Sequence, residues 1–354
     1  MGLNLNESGL ANNGASPLQA ENLSIEVTTR CTNDCWHCFA RAGKQASADL
    51  SLNDAISAVD EAYDMGYRHL HLTGGEPLLW HHLFNLLDHT AEKGYETCFI
   101  NTNGSILFDE IARRFQSYGM EVSISISLHG PEILHDELSG SGSFNAAVRG
   151  IQSALDAGVR VTVFTVARRS LMSILPDFAD YVFKELAGIS EITLIQIIRV
   201  PNFKVNMFAE LLRPEDFISL IQTASLLNLY GYRTSVLENP LAKVAAELMG
   251  MPWLAQSPPL YRSGKIVLMA NGSLTLAHSS HESLGSYSPG MLENIMMSEQ
   301  YLQRIRPDTV VCPGCRFHHL CVNHGLIRPS EWFRDMDEKT HYCQRVLNLI
   351  ENSI

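Results

Sequence analysis

Short apolar runs rich in β-branched residues alternate along the chain with longer segments whose apolar residues recur every three or four positions. This alternation is typical of βα units, in which a short buried strand is followed by an amphipathic helix. Six runs have the length and composition of strands, namely Leu23–Thr28, His69–Thr73, Glu96–Asn101, Glu121–Leu128, Arg160–Val166 and Ile192–Val200. The pattern therefore predicts an α/β fold.

The segments between these runs have the pattern of helices, and they are Leu52–Met65, Leu79–Lys93, Phe108–Tyr118, Ser143–Ala157 and Leu175–Leu186. Several are followed by a glycine suited to a helix C-terminus, at Gly66, Gly94, Gly119 and Gly158. Parallel strands with right-handed crossovers curl into a barrel or an open part of one, with ligands at the carboxyl ends of the strands. We expect a partial (β/α)6 barrel over residues 23–235.

The alternation ends near residue 235, and prolines then interrupt the chain. Two apolar runs, Ile266–Met269 and Ser273–Leu276, flank the dipeptide Asn271-Gly272, which strongly favours a β-hairpin turn. We expect a small C-terminal domain over residues 236–354. Residues 1–22 are rich in Asn, Ser, Gly and Ala, and we expect them to form a flexible tail.

Composition and charge narrow the classes of protein. Apolar residues make up 45% of the 354 residues and charged residues 18%, as in ordinary globular proteins. The net charge of −12 disfavours a broad contact with nucleic acid, which needs clustered basic side chains. No secretory signal is visible at the start, and no apolar stretch reaches the ~18–20 residues that span a bilayer. We expect a cytoplasmic protein without nucleic-acid or membrane partners.

Three of the eight cysteines form a close group, Cys31-x3-Cys35-x2-Cys38, directly after the first predicted strand. Cysteines in a cytoplasmic chain favour metal or redox chemistry over disulfides. Three thiolates leave one iron of a [4Fe–4S] cluster open, and that iron can bind a chelating sulfonium cofactor. The alternative is a zinc site whose fourth ligand is distant in the sequence.

The spacing of Cys31, Cys35 and Cys38 resembles that of the radical S-adenosylmethionine (SAM) superfamily. This resemblance implies that SAM occupies the open iron. It also implies roles for the motif Thr73-Gly74-Gly75-Glu76-Pro77, in which Gly74, Gly75 and Glu76 match the segment that binds the SAM amine. His37 matches a position that faces adenine, and Ser127 matches one near the carboxylate or ribose of SAM; packing and a fourth zinc ligand are the alternatives for His37.

Three further residues bear on this resemblance. Related enzymes often place an arginine for the SAM carboxylate where this chain has Ser139. Gln196 falls where relatives place a polar residue facing the cavity, although an exposed strand position explains it nearly as well. Cys98 lies inside an apolar strand, so we expect a buried small apolar side chain, with a radical-quenching thiol as the alternative.

A second cysteine group lies near the C-terminus, at Cys312, Cys315, Cys321 and Cys343. Four thiolates can close every site of a second cluster, and structural zinc is the alternative. The spacing resembles the SPASM/twitch extension of radical SAM enzymes, which implies auxiliary iron–sulfur clusters. Cysteines of a first auxiliary cluster are replaced here by Tyr261, His278 and Gly325, so we expect one auxiliary [4Fe–4S] cluster. His278 is expected to be a polar hairpin residue rather than a metal ligand.

The resemblance implies an enzyme that cleaves SAM reductively to a 5′-deoxyadenosyl radical, which abstracts hydrogen from a substrate C–H group. We expect oxidative modification of a peptide or protein side chain. Oxidation of a small molecule or tetrapyrrole side chain is the alternative, and a zinc-stabilised binding protein is the alternative without enzyme activity. Sulfatase maturation is disfavoured, because Ser279 stands where those relatives carry an aspartate. A one-electron reductant such as flavodoxin or ferredoxin is the implied protein partner.

Overall fold

The structure is a computed structural model. It describes residues 22–199, 205–237, 239, 241–251, 253–254, 263–279, 282–305, 315–317, 321 and 342–353. Among these residues, no helix is long and apolar enough to cross a membrane.

A single twisted sheet of ten strands organises the described residues, in the order β10-β9-β8-β1-β2-β3-β4-β5-β6-β7. Strands β1 to β7 run parallel to their neighbours, and β8 runs parallel to β1. The strands are β1 (Asn22–Glu26), β2 (His69–Thr73), β3 (Thr97–Thr102), β4 (Glu121–Ser127), β5 (Arg160–Ala167), β6 (Glu191–Gln196), β7 (Thr234–Leu237), β8 (Ile266–Leu268), β9 (Ser273–Thr275) and β10 (Gly285–Ser286). The sheet is the open barrel that the strand pattern predicts.

Most of the described helices lie between the parallel strands along the chain, and the last three follow the final strand. They are α1 (Leu52–Asp64), α2 (Leu83–Lys93), α3 (Asp109–Gln116), α4 (Glu132–Ser139), α5 (Ser143–Asp156), α6 (Arg169–Met172), α7 (Leu175–Lys184), α8 (Pro214–Leu229), α9 (Leu241–Leu248), α10 (Leu292–Met296), α11 (Glu299–Ile305) and α12 (Tyr342–Glu351). Helix α1 shows the common pattern, because its buried residues recur at helical spacing at Ala55, Ala58, Val59 and Ala62.

Two of the four glycines expected at helix ends show what the sequence pattern captures. Gly94 ends α2 with φ of 99°, a left-handed conformation that disfavours a side chain. Gly119 instead has no positive φ, and a Cβ there would contact nothing within 4 Å. Gly66 and Gly158 also have positive φ, of 98° and 79°, so three of the four glycines adopt the left-handed conformation that suits a helix end.

The parallel part of the sheet is larger than predicted. The six predicted strands are confirmed as β1 to β6, and β7 and β8 extend the parallel sheet at its two sides. Strand β8 is the first arm of the predicted hairpin, which turns at Gly272 and continues into β9. Because β8 pairs with β1, hydrogen bonds join residues 266–268 directly to the barrel. The division at residue 236 stays a prediction.

Candidate active site

One cavity opens at the carboxyl ends of the parallel strands, where the topology predicts a ligand site. It encloses about 1300 Å³, counting the space that is open to solvent. Its lining includes the cysteine loop after β1, the glycine loop after β2, and residues from β3 to β6. The cavity brings together most of the side chains that the sequence selects as cofactor ligands.

The cysteine loop places all three thiols in this cavity. Cys31, Cys35 and Cys38 are half-buried and line its wall. Burial raises the pKa of the Cys31 thiol to about 11 and that of the Cys35 thiol to about 12, and it also raises the pKa of Cys38. These environments disfavour free thiolates, whereas a cationic iron centre favours them.

The glycine loop approaches the chain that leads into the cysteines. The Gly75 N–H donates to the Thr28 carbonyl over 2.7 Å, and the Glu76 N–H donates to the Arg30 carbonyl over 2.7 Å. A Cβ on Gly75 would lie 2.6 Å from the Arg30 carbonyl carbon, and one on Gly74 would lie 2.5 Å from the Thr28 carbonyl oxygen. Both glycines are therefore needed for this close backbone contact. Gly74 and Gly75 also line the cavity.

Glu76 lies behind the cavity wall and is fully buried. Its carboxylate accepts hydrogen bonds from the Thr102 hydroxyl at 2.7 Å, the Asn103 N–H at 2.8 Å and the Leu78 N–H at 3.1 Å. Burial outweighs these bonds and raises the pKa of Glu76 to about 7. In this arrangement the carboxylate ties the glycine loop to the end of β3. Its direct contact with a SAM amine stays a prediction.

Asn103 extends the same network to the cysteines, although the sequence analysis does not select it. Its side-chain amide donates to the Thr32 hydroxyl over 2.8 Å and lies 3.5 Å from the Cys31 sulfur. The sequence signal for it is weak, because Asn103-Gly104 after β3 has the composition of an ordinary turn. Asn103 nevertheless supports the loop that carries Cys31.

Three histidines line one side of the cavity. His37 meets His129 edge to face with ring centroids 5.1 Å apart, and His129 stacks on His135 at 5.3 Å. Burial and, to a lesser extent, the Arg168 charge lower the pKa of His37 to about 4. The His129 N–H donates to Nδ1 of His135, so the proton of neutral His135 resides on Nε2. His129 and His135 are absent from the sequence prediction, although His129 belongs to the same Ser-Leu-His-Gly-Pro segment as Ser127.

The structure distinguishes the remaining polar candidates. Ser127 and Ser139 line the cavity, and a hydrogen bond from Ser139 to the Cys35 thiol opposes the burial effect on the pKa of that thiol. Gln196 also lines the cavity, but its amide accepts from Asn239 at 2.9 Å and donates to the Tyr342 hydroxyl at 3.1 Å. Gln196 is 2% exposed, so the alternative of an exposed strand position is wrong, and its amide anchors the start of α12.

The C-terminal cysteines are only partly described. Cys315 is exposed, and Cys321 and Cys343 are half-buried. Cys312, like Tyr261 and Gly325, lies outside the described residues, so the four-thiolate site stays a prediction. Cys98 is completely buried in β3, and burial raises its pKa, which fits the expected small apolar side chain.

No three His, Cys, Asp or Glu side chains within the described ranges lie close enough together to hold one metal ion. A [4Fe–4S] cluster differs from such a site, because each thiolate binds a different iron.

Residues 25–169 match the family described as the Radical SAM superfamily. This range contains the three cysteines, the glycine loop and strands β2 to β5. The chain therefore contains a radical SAM domain.

Curated relatives of this domain have different names. The AdoMet-dependent heme synthase of Nitratidesulfovibrio vulgaris is 30% identical over 158 residues, which cover 44% of this chain and 42% of that protein. The mycofactocin maturase MftC of Mycobacterium tuberculosis is 32% identical over 161 residues, which cover 44% of this chain and 40% of that protein. The chain thus spans about two fifths of the length of these relatives.

A solved structure supports the architecture over a longer range. The structure described as native anSMEcpe with bound AdoMet and Cp18Cys peptide superposes with a TM-score of 0.69 and covers 94% of this chain and 99% of that chain. The sequences are 17% identical, so this likeness shows the shared fold alone. It confirms the partial α/β barrel over most of the chain, and the radical SAM assignment rests on the family match over residues 25–169.

Proposed function

We propose that this chain is a radical SAM enzyme in which Cys31, Cys35 and Cys38 ligate a [4Fe–4S] cluster with one open iron. One observation carries the proposal: the three half-buried thiols line the same cavity as the Gly74-Gly75 loop. The residues present fit the cofactor pair. Three thiolates suit the cluster, and the side-chain-free loop leaves backbone and space for a ligand beside it.

When bound, the cluster and SAM would supply the 5′-deoxyadenosyl radical that removes hydrogen from a substrate C–H group. The chain's own residues would bind and orient the reactants. Gly74 and Gly75 offer backbone groups, Ser127 offers a hydroxyl, and neutral His37 offers an aromatic face toward adenine. Apolar lining from Phe164, Val166 and the end of β6 would exclude water from the reacting carbon.

We further propose that Cys312, Cys315, Cys321 and Cys343 hold one auxiliary [4Fe–4S] cluster in a SPASM/twitch-like extension. The contact from Gln196 to Tyr342 supports this arrangement, because it joins the cavity lining to the residue before Cys343. A cluster there would accept the electron released when the substrate is oxidised. A one-electron reductant such as flavodoxin or ferredoxin would supply electrons to the cysteine-triplet cluster.

The proposed substrate is a peptide or protein side chain. Two relatives support this choice, because one is named a maturase and the anSMEcpe structure is described with a bound peptide. The second candidate is a small molecule or tetrapyrrole, favoured by the relative named a heme synthase. The competing proposal is a zinc-stabilised binding protein that has no enzyme activity.

Metal analysis of anaerobically purified protein tests the proposal. We expect about eight irons per chain, four for each cluster, and 5′-deoxyadenosine after addition of dithionite and SAM. Joint replacement of Cys31, Cys35 and Cys38 by alanine should remove about four irons and abolish 5′-deoxyadenosine, whereas Cys98→Ala should retain both. Zinc without iron in the wild-type protein would overturn the proposal.

A further inference from the structure

The strands that line the cavity divide it into two halves of different chemistry. On β2, β3 and β4 the lining side chains are polar and uncharged, as at Thr73, Asn101 and Ser125. On β5 and β6 they are mainly apolar, as at Phe164 and Ile195. Because β2 to β6 follow one another in the sheet, each half is a continuous surface. We call the surface formed by Phe39, Phe164, Val166, Ile195, Ile197 and Ile198 the apolar half.

The apolar half keeps surface that a ligand can cover. Phe39, Phe164, Ile195 and Ile198 line the cavity and are only half-buried. Phe39 belongs to the cysteine loop, and Ile198 follows the end of β6. Covering apolar surface contributes about 25 cal/mol per Å². These side chains therefore offer contact area to an apolar group that enters the cavity.

The apolar half is supported from behind by its own small core. Phe39, Ile195 and Ile198 pack against this core, which is separate from the main core of the barrel. Its buried members are Trp36, Leu138, Val166, Ile197, Met207 and Leu211. Side chains that are already held by packing lose little conformational freedom when a ligand binds. The apolar half is thus formed before a ligand arrives.

The charge of the lining limits what can enter. Among the described lining residues there is no Lys, Arg, Asp or Glu, and burial keeps His129 and His135 neutral by lowering the pKa of each, that of His135 to about 4. Arg168 follows β5 outside the lining and is paired with the Glu137 carboxylate at 2.6 Å. Arg199 follows Ile198 and is exposed. A carboxylate against the apolar half would therefore lose water without gaining a cationic partner among the described lining residues, which is costly.

We propose that the apolar half of the cavity receives a neutral, apolar side chain of a peptide substrate, and that this is the side chain to be modified. The inference deepens the proposed function and rests on it for the reaction. It favours a peptide with an aliphatic or aromatic target residue over a tetrapyrrole propionate, because the propionate carries a carboxylate. An apolar side chain matches both the packed surface and the uncharged lining.

Saturation-transfer NMR of the iron-loaded protein with SAM and an oxidised cluster tests the inference, because binding is then measured without turnover. The probes are three capped tripeptides, acetyl-Gly-X-Gly-amide with Leu, Asn or Asp as X, which differ little in shape but are apolar, polar and charged. We expect the Leu peptide to bind about tenfold or more tighter than the Asp peptide near neutral pH, with the Asn peptide between them.

A substitution within the apolar half should reverse this order. Ile198→Lys places a cation on the apolar surface, so it should weaken binding of the Leu peptide and strengthen binding of the Asp peptide. Ile133→Lys is the matched control, because Ile133 is 83% exposed on α4 and lies outside the cavity lining. It should keep the wild-type order. If Ile198→Lys does not fold, the wild-type series alone decides the inference.

Three results would overturn the inference while leaving the proposed enzyme intact. They are an Asp peptide that binds the iron-loaded wild type as tightly as the Leu peptide, no binding of any of the peptides, and tighter binding of coproporphyrin III than of the Leu peptide in direct competition. The last result would assign the cavity to a tetrapyrrole. By contrast, a preference for the Leu peptide in a protein that contains zinc and no iron would support the apolar site and contradict the proposed enzyme.

Discussion

The cysteine side and the floor of the same cavity are built in different ways. On the cysteine side, backbone hydrogen bonds join the glycine loop to residues 28–30, and Glu76 uses its carboxylate oxygens for three contacts. The floor, where His71 on β2 meets His278 edge to face with ring centroids 5.4 Å apart, has fewer hydrogen bonds: both ring nitrogens of His278 are buried without one among the residues that the structure describes.

The wall and the floor of the cavity therefore differ in how firmly hydrogen bonds fix their side chains and backbone. A wall fixed by backbone contacts has little freedom to adapt, which suits a cofactor whose position must not vary. The floor, where the ring nitrogens of His278 are unpaired among the described residues, has fewer such contacts and more freedom to adapt. Changes on either side of the cavity test this separation, beginning with the largest expected effect.

Replacing Cys31, Cys35 and Cys38 together by alanine should have the largest effect. The protein should lose about four irons per chain and all SAM cleavage, because no other described thiols line the cavity. Iron and sulfide analysis with chromatography of 5′-deoxyadenosine measures both. The imidazole NMR signals of His71 and His278 should keep their positions in this variant if the two parts of the cavity are independent; a shift of those signals would break the comparison.

Gly75→Ala should destabilise the protein by about 3 kcal/mol or more, because the new methyl group would collide with the backbone at Thr29 and Arg30. The midpoint of thermal unfolding should fall by several degrees, with loss of iron. Gly119→Ala is the matched control, since its Cβ meets no atom within 4 Å and its φ is not positive. Equal melting temperatures for both variants would show that the loop is not fixed as described.

Glu26→Gln should stabilise the protein at high pH. The folded-state pKa of Glu26 is raised from 4.5 to about 7 by burial, so folding favours its protonated form. Its stabilising contribution is therefore complete below about pH 4.5 and is lost as pH rises to about 7. At about pH 8 the variant should exceed the wild type by up to about 3 kcal/mol.

Thermal unfolding of both proteins between about pH 5 and about pH 8 measures this difference. The exposed Glu92→Gln is the control and should show no pH-dependent gain. If the Glu26→Gln protein is less stable than the wild type at high pH, the ionised Glu26 carboxylate does not destabilise the fold. That result would contradict the raised pKa of Glu26.

Tyr342→Phe should have the smallest effect, a loss of about 1 kcal/mol. The tyrosine hydroxyl accepts from Gln196 at 3.1 Å and donates to the Arg213 carbonyl at 3.2 Å, and phenylalanine preserves the ring packing on Phe217. Thermal unfolding measures the loss. A decrease as large as that of Gly75→Ala would mean that the α12 contact is as important to the wall as the glycine loop.

The cysteine side of the site could be predicted because its signals are local in sequence. Cysteine spacing and the Gly74-Gly75 pair lie within short segments, and the predicted strand His69–Thr73 agrees with β2 at both ends. Glu76 shows the limit of such signals, because its contacts with Thr102 and Asn103 depend on how β3 ends beside it.

The floor could not be predicted because it depends on long-range pairing. His71 and His278 meet only because β8 pairs with β1, whereas the sequence pattern assigns the hairpin to a separate domain. Strands β7 and β8 are short, with four and three residues, so periodicity carries little information there. Gln196 gave an ambiguous signal for a related reason: its partners, Asn239 and Tyr342, are far away in the chain.

Electron paramagnetic resonance of the dithionite-reduced protein, with and without SAM, tests the central claim most directly. If Cys31, Cys35 and Cys38 hold a cluster with an open iron, SAM should change the spectrum of the wild type and of a variant with alanine at Cys315, Cys321 and Cys343. The variant with alanine at the first three cysteines should show no SAM-dependent change. A wild-type spectrum that SAM leaves unaltered, or a protein that contains zinc and no iron, would contradict the account.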